Sequence, residues 1–227
     1  MTTVTSRFAL GPASLTDALF ESLRGRIISG DIPPGDKVTE QRIAMEYAVA
    51  RPTAKSCIER LTGLGLLRRV AHKSAVVPQF TEDEIKDLYF SRETFEAAAV
   101  AHLAQIGEVP AATLRAQDLM RRAAHAGDFT DLVVADIEFH WSLVRGLGSE
   151  RLTRMYEQIS GEIHLTMGQF SAHRRTALAN VAAEHDAILA AISAGDEAAA
   201  RTLVTDHLMH ARERVLAQLK ASSGPAS

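Results

Sequence analysis

The sequence predicts a mainly α-helical chain with two domains, and three observations support this fold class. Ala, Leu, Glu and Arg are abundant whereas only 5% of the 227 residues are aromatic, which is typical of helical proteins. Two short helical segments with a tight break precede two apolar segments, which indicates a winged helix-turn-helix of three helices and a β-hairpin wing. The rest of the chain has helical periodicity throughout and predicts an all-α bundle of about six helices.

The charge of the chain changes sign where the predicted organisation changes. Residues 1–80 contain 11 Lys and Arg against 7 Asp and Glu, whereas residues 81–227 contain 14 against 21. A basic module beside an acidic one is typical of a DNA-binding domain joined to a domain that does not contact phosphate. The predicted divisions are a flexible arm over 1–13, a winged helix-turn-helix over 14–78, an all-helical domain over 79–221 and a disordered tail over 222–227.

The composition also excludes several classes of protein. No apolar stretch is long enough to span a bilayer, and no N-terminal apolar segment precedes a small-residue cleavage site. The single cysteine, Cys57, cannot form an internal disulfide. We therefore expect a cytoplasmic protein with no membrane partner.

The elements of the N-terminal domain follow from apolar spacing and turn residues. A first helix is expected over 14–29, followed by a Pro-Pro-Gly turn that ends at residue 35. The apolar stripe of this helix comprises Leu15, Leu19, Leu23 and Ile27. The inner stripe of the next two helices comprises Ile43, Tyr47, Ala54, Ile58 and Leu61. The wing strands are predicted at 66–67 and 75–77.

Basic side chains of this domain are the candidate DNA contacts. Arg51 and Lys55 stand at the N-terminal end of the third helix and off its apolar stripe. Recognition helices meet phosphates and base edges at that position. The complete set of expected DNA-binding residues is Lys37, Arg42, Arg51, Thr53, Lys55, His72 and Lys73.

Helix caps and glycines divide the second domain. Thr81-Glu-Asp-Glu84 has the pattern of a capping box, which predicts a helix that begins there and ends near residue 106. The later helices are expected to begin at Pro110, at Asp128 or Thr130, at Ser149, near Thr176 and at Asp196.

Two ligand-type residues interrupt the apolar stripe of the helix that follows Asp128. Asp136 and His140 are four residues apart, so both face the core and can reach one ion. Burying both groups costs several kcal/mol in order of magnitude unless they are paired or bind a metal. His185 is a member of the apolar stripe of its helix, and His207 follows Leu203 by one turn, so three helices each direct a ligand-type residue inward. Three imidazoles and a carboxylate suit a borderline divalent ion, while a buried Asp136–His140 ion pair is the alternative.

Several motifs in this order and spacing resemble the GntR family of bacterial transcription regulators, in the FadR-like branch with an FCD-type ligand domain. The motifs are the Pro-Pro-Gly turn, Ile58-Glu-Arg-Leu61, Gly65-Leu-Leu67, Arg92-Glu-Thr-Phe-Glu96, Asp136-Ile-Glu-Phe-His140, Glu184-His185 and Asp206-His207-Leu208. The recognition helix departs from the family pattern. It opens Ala-Arg-Pro-Thr-Ala-Lys-Ser from Ala50, instead of Ser-Arg-Thr-Pro-Val-Arg-Glu, so the capping residue is lost. The family's operator sequences therefore do not transfer to this chain.

The resemblance implies a metal-dependent ligand site in the second domain. It assigns metal binding to Asp136, His140, His185 and His207, with zinc first and nickel, manganese or iron as alternatives. The arginine matching Arg92 helps such domains hold a small carboxylate that also contacts the metal. An internal salt bridge of Arg92 with Glu96 or Glu93 is the alternative. His164 is expected to be partly exposed or to line the effector pocket.

The resemblance also implies the biological role. We expect a homodimeric repressor that binds a near-palindromic double-stranded operator and responds to a small organic acid, without being an enzyme. Two alternatives stay open, namely a metal-dependent enzyme acting on a small carboxylate and a repressor that senses the metal itself.

Overall fold

The computed structural model describes residues 15–69, 74–170 and 178–222, and the chain divides into two compact units, Met1–Pro78 and Gln79–Ser227. Helices predominate in both units, and the predicted mainly α fold class is confirmed. None of the described helices is both long enough and apolar enough to cross a bilayer.

The N-terminal unit contains three helices and a small antiparallel sheet among its described residues. In chain order its elements are α1 Leu15–Ile28, β1 Lys37–Val38, α2 Glu40–Glu46, α3 Arg51–Gly63, β2 Arg68–Arg69 and β3 Ala75–Val76. The strand order is β1-β3-β2, and Val76 stands opposite both Lys37 and Arg68. This arrangement is a winged helix-turn-helix.

The wing differs from the predicted hairpin in two ways. Its first strand is Arg68–Arg69, not 66–67, because the amides of Leu66 and Leu67 both donate to the carbonyl of Leu61 at the end of α3. Both leucines are buried beneath the helix end. The sheet also has a third strand, β1, whose two residues are too few to show an alternating pattern.

Most of the predicted apolar stripes form the core of this unit. Leu19, Leu23 and Ile27 of α1 are buried, but Leu15 is 65% exposed, so the prediction was wrong for the first turn. The buried residues of the next two helices are Ile43, Ala54, Cys57, Ile58 and Leu61. Tyr47 caps the end of α2 and is only half-buried.

The start of α3 shows the consequence of the lost capping residue. Ala50 occupies the N-cap position with no side-chain hydrogen bond, and Pro52 lies in the first turn. Proline is tolerated there because the first amides of a helix have no intrahelical partner. The helix therefore starts at Arg51 despite the altered sequence.

The second unit is a bundle of six helices within its described residues. They are α4 Glu82–Ile106, α5 Ala111–Ala126, α6 Phe129–Arg145, α7 Glu150–Phe170, α8 Leu178–Ser193 and α9 Glu197–Ser222. The capping box at Thr81 is present, and Asp128 rather than Thr130 caps α6 by accepting from the amide of Asp131. Gly195 lies in the loop after α8 and has a φ of 71°. The Asp196 carboxylate begins α9 by accepting a hydrogen bond from the amide of Ala199.

Helices α4 and α9 lie antiparallel along their whole length. Three side-chain pairs establish this: Gln105 with Glu197 at 2.9 Å, Glu93 with Thr205 at 3.2 Å, and Glu82 with Lys220 at 3.7 Å. Helix α6 supplies Phe139, Leu143 and Val144 to the same core. This packing brings the middle turns of α4, α6 and α9 together.

Candidate metal centre and DNA interface

Four ligand-type side chains meet inside the bundle. Asp136 and His140 come from α6, His185 from α8 and His207 from α9, and one ligand atom of each lies within 4.8 Å of all the others. His207 Nε2 is 3.1 Å from His185 Nε2 and 3.2 Å from His140 Nε2. All four residues are buried. The packing of three helices therefore creates one compact cluster.

Groups outside the cluster orient two of the imidazole rings. His140 Nδ1 lies 2.5 Å from Glu96 Oε2, and His207 Nδ1 lies 2.7 Å from Glu184 Oε2. A carboxylate accepts a hydrogen bond from the ring nitrogen it faces, so each Nδ1 donates and each Nε2 keeps its lone pair. These lone pairs point into the centre of the cluster.

The third ring, that of His185, contacts an aromatic ring and a thioether on its outer side, where the other two rings face a carboxylate. It stacks on Phe139 with ring centroids 4.2 Å apart, and its Nδ1 lies 2.9 Å from the sulfur of Met120. A thioether is only a weak acceptor, so stacking contributes most of the orientation. His185 Nε2 nonetheless faces the same centre as the other two rings.

The electrostatics of the cluster favour a bound cation. Burial raises the pKa of Asp136 to about 7, although the charge of Arg92 opposes this effect. Burial also lowers the pKa of His207 well below its ordinary value, and the neighbouring His140 lowers it further. His207 is therefore neutral near pH 7, as a metal ligand must be.

A bound cation would provide a partner for a buried carboxylate oxygen that has no hydrogen bond among the described residues. Asp136 Oδ1 is buried and has no hydrogen-bond partner among them. His140 Nε2 lies 3.8 Å from Asp136 Oδ2, and His185 Nε2 lies 3.5 Å from Asp136 Oδ1, so ion pairing with these rings gives Oδ1 no hydrogen bond. The cluster could hold a metal ion, and its nitrogen and oxygen donors suit a borderline divalent one.

Arg92 takes part in a buried network next to the cluster. Its Nε donates to Glu96 Oε1 at 2.7 Å, and the Tyr156 hydroxyl donates to the same oxygen at 2.6 Å. The internal salt bridge considered from the sequence therefore exists with Glu96, whereas Glu93 instead accepts from Thr205. Arg92 Nη2 is buried and has no hydrogen-bond partner in the described residues, so it can still receive an anion.

His164 lies on α7 and is 7% exposed, so of the two expected placements, partial exposure or the lining of a pocket, the first does not apply. It is not one of the four members of the cluster. The side chain belongs to the largely apolar inner face of α7, together with Ile163 and Met167. Its assignment to effector binding stays a prediction.

The roles of three residues of this region were not identified from the sequence: Glu184, Met120 and Arg214. Glu96 was considered only as a partner of Arg92, whose spacing of four residues is that of a helical ion pair, and not as the group that faces His140. Arg214 follows His207 by seven residues and so shares its helix face, which is a weaker signal. No local pattern indicates that Met120 meets His185, because their contact joins two helices 65 residues apart.

The expected DNA contacts lie on the surface of the N-terminal unit. Arg51 and Lys55 are exposed on α3, and Lys55 Nζ is 3.8 Å from Glu59 on the next turn. Lys37 is exposed on β1, and Thr53 is half-buried. These positions leave the start of α3 accessible to a phosphate or a base edge.

Arg42 is less available for contact with DNA than the sequence suggested. Its Nε donates to Glu46 at 2.7 Å, and its Nη1 donates to the carbonyl of Lys37 at 3.1 Å. The guanidinium therefore helps to hold β1 against α2. His72 and Lys73, the two predicted wing contacts, lie outside the described residues.

A winged helix-turn-helix followed by a helical bundle with a buried ligand-type cluster defines a class of two-domain, DNA-binding transcriptional regulators. Residues 15–77 match the family described as bacterial regulatory proteins, gntR family, and residues 87–210 match the FCD domain. The chain therefore belongs to the GntR family and carries an FCD domain, as the sequence motifs predicted.

Known relatives and solved structures agree with this assignment. The chain is 26% identical over 198 residues to the HTH-type transcriptional repressor GlaR of Escherichia coli K12, covering 82% of this chain and 89% of that protein. Its fold is similar to that of a GntR transcriptional regulator from Rhodococcus sp. RHA1, with a TM-score of 0.75 and 24% identity over 90% of this chain and 99% of that one. It is also similar to a metal-free FCD domain of another regulator, with a TM-score of 0.56 and 17% identity over 63% of this chain and 99% of that one.

Proposed function

We propose that the protein is a repressor whose affinity for its operator is controlled by a small carboxylate bound at a metal ion in the FCD domain. The observation that carries the proposal is the convergence of three imidazole Nε2 atoms and the Asp136 carboxylate beside a buried Arg92 whose Nη2 has no partner in the described residues. A bound cation offers a carboxylate one attachment point, and Arg92 offers another. Zinc is the first candidate for the ion because it is commonly held by histidine and carboxylate ligands.

The site can hold a ligand, but we assign none of its groups to catalysis. Glu96 and Glu184 each face the outer nitrogen of an imidazole, so they orient ligands and are not free to act as bases toward a bound acid. Arg92 is a cation at every accessible pH and so serves as a counter-charge. Binding of an anion is therefore the function that these residues support best.

In this proposal the N-terminal unit binds the operator, and the effector changes the affinity of that binding. A homodimer would present two copies of α3 to a near-palindromic operator in double-stranded DNA, as two-fold symmetric regulators do. The acid can change operator affinity only if it binds more tightly to one conformation of the dimer than to the other. Regulation in the cytoplasm, where bacterial DNA lies, follows from this role.

Retention of DNA by the purified full chain tests the proposal. The zinc-loaded protein should retain its own upstream region in a salt-sensitive manner, and one of a panel of small carboxylates should change that retention. After chelation with EDTA, the carboxylate should no longer have an effect. Light scattering on the same sample should show a dimer.

Three results would contradict the proposal in different ways. Failure to retain upstream DNA under any condition would exclude regulation through this operator. Retention that follows free zinc with no effect of any acid would favour a metal sensor. Consumption of a carboxylate that stops on chelation would favour a metal-dependent enzyme.

A further inference from the structure

Arg214 on α9 is a partly buried charged group that the proposed metal centre does not use. Its Nε and Nη2 atoms are buried, and neither donates a hydrogen bond to any residue in the described part of the chain. A buried guanidinium whose N–H groups lack acceptors is strongly unfavourable. Such donors are positioned to receive an anion.

The helix register places Arg214 near the effector site. It follows His207 by two turns on the same face of α9, with the buried Ala211 between them. Because helical side chains lean toward the N-terminus of their own helix, Arg214 extends back toward His207. The antiparallel register of α4 and α9 sets Arg214 close to the turn that precedes Arg92.

The electrostatic contacts place the two arginines around the same groups. Burial has the largest effect on the pKa of Asp136, of His207 and of Tyr89, and the positive charges of Arg92 and Arg214 act on all three. The Arg92 guanidinium also lies over the Tyr89 ring, 5.7 Å from its centroid. Two cationic side chains with unpartnered N–H groups thus lie near the metal ligands.

The charges of the site indicate how much negative charge a ligand must bring. Arg92 and Glu96 neutralise each other through their buried ion pair. A divalent ion exceeds the charge of Asp136 by one, and Arg214 adds a second positive charge. Glu184 also faces the site through His207, but its side chain is 32% exposed, so water screens its charge more than the charges of the buried groups. Buried charge requires neutralisation, so a ligand with two negative charges matches the site better than a ligand with one.

We infer that Arg214 binds a second anionic group of the effector, so that the site selects a dicarboxylate over a monocarboxylate. The inference rests on the proposed function, because the first carboxylate is held by the cation and by Arg92 Nη2. Two helical turns separate His207 from Arg214 by about 11 Å along the axis, and the arginine side chain covers part of this distance. Diacids with a chain of about four to six carbons are therefore the candidates for bridging the distance that remains.

Calorimetric titration of the zinc-loaded full chain tests the inference. The probes are succinate, glutarate and adipate, each compared with butyrate, valerate and hexanoate of the same chain length. The wild-type protein should bind at least one diacid ten times more tightly than the matching monoacid. Arg214→Met should remove this preference while leaving the monoacid Kd and the zinc content unchanged.

Arg212→Met is the matched control, since Arg212 lies two residues earlier on the same helix, on the side of α9 opposite to Arg214. This variant should keep the diacid preference. If Arg214→Met does not fold, Arg214→Lys keeps the charge but loses the planar fork, and it should weaken diacid binding severalfold more than monoacid binding.

Wild-type protein without a preference for any diacid would overturn the inference. So would a variant of Arg214 that weakens both kinds of acid equally, because that result would indicate a purely structural role. A different result would contradict the proposed function and not this inference. A diacid preference that depends on Arg214 but does not alter DNA retention would contradict the proposed regulation and leave this assignment intact.

Discussion

Asp136 is buried in the bundle with one oxygen, Oδ1, that has no hydrogen-bond partner among the described residues. Burial raises its pKa to about 7, from an ordinary value of 3.8. The folded, metal-free protein therefore favours the protonated form of this side chain. A bound cation reverses the preference because it stabilises the carboxylate directly.

Asp136→Asn should make the metal-free protein more stable at pH 8 but not at pH 4. A group with a raised folded pKa contributes stability below its unfolded pKa, and this contribution is lost as pH rises through the folded value. The wild-type protein should therefore lose stability relative to the variant between about pH 4 and pH 7, by up to about 4 kcal/mol. Thermal melts in EDTA across this range measure the difference.

Asp206→Asn serves as the control because Asp206 is exposed and adjacent to His207. Its melts should follow those of the wild type at each pH. Addition of zinc should reverse the order of stability, since the wild type gains a ligand that Asp136→Asn lacks. Identical pH profiles for the wild type and Asp136→Asn would contradict the account of this carboxylate.

Glu184 acts through His207 and is not one of the four ligand-type side chains. Its Oε2 lies 2.7 Å from His207 Nδ1, which keeps Nε2 directed at the proposed ion. Glu184→Ala should lower zinc affinity about 10- to 100-fold while the fold is kept. Competition with a chromophoric chelator measures the affinity, and the exposed Glu138→Ala should leave it unchanged. An unaltered affinity in Glu184→Ala would show that His207 needs no such support.

At the scale of single elements, α3 joins the fold to the proposed DNA interface. Its inner face is packed by Ala54, Ile58 and Leu61, whereas Arg51 and Lys55 are exposed. The same helical period thus separates the residues that stabilise the domain from those that can contact DNA. Substitutions on the exposed face should change binding without changing the melting temperature.

Arg51→Ala should weaken operator binding by about 1–3 kcal/mol if the side chain reads a base edge. Fluorescence anisotropy at several salt concentrations measures both the affinity and the number of phosphate contacts. Arg24→Ala on α1 is the control, because Arg24 is paired with Glu21 on its own helix. If both variants bind as tightly as the wild type, α3 does not contact DNA through Arg51.

Elements with local signals could be predicted from the sequence, and elements that depend on distant residues could not. The start of α4 is specified by the reciprocal hydrogen bonds of Thr81 and Glu84, which are three residues apart. Strand β1 exists only because it pairs with β3, and β2 is displaced because Leu66 and Leu67 bond to the end of α3. Two-residue strands carry too little pattern to be located without their partners.

The same distinction applies to the candidate site. Asp136 and His140 were identifiable because polar residues in an apolar stripe are unusual. The partners that orient these ligands come from other helices. Glu96 reaches His140 across 44 residues of sequence, and no spacing rule predicts such a contact. The ligand-type residues could therefore be identified from the sequence, whereas the groups that orient them could be identified only from the structure.

At the scale of the whole molecule, the chain divides its charge between two compact units. The first 80 residues have an excess of basic side chains, and the remainder has an excess of acidic ones. A basic unit suits contact with phosphate, whereas a unit with an excess of acidic side chains does not. The proposed cation lies in the acidic unit, among four buried side chains of its bundle.

The metal content of the purified full chain is the most direct test of the account. Elemental analysis after reconstitution with zinc and extensive dialysis should find about one ion per chain. The double variant His185→Ala and His207→Ala should retain none, while His102→Ala on α4 should match the wild type. A wild-type protein that holds no ion, or a double variant that holds as much as the wild type, would contradict the metal centre on which the proposed regulation depends.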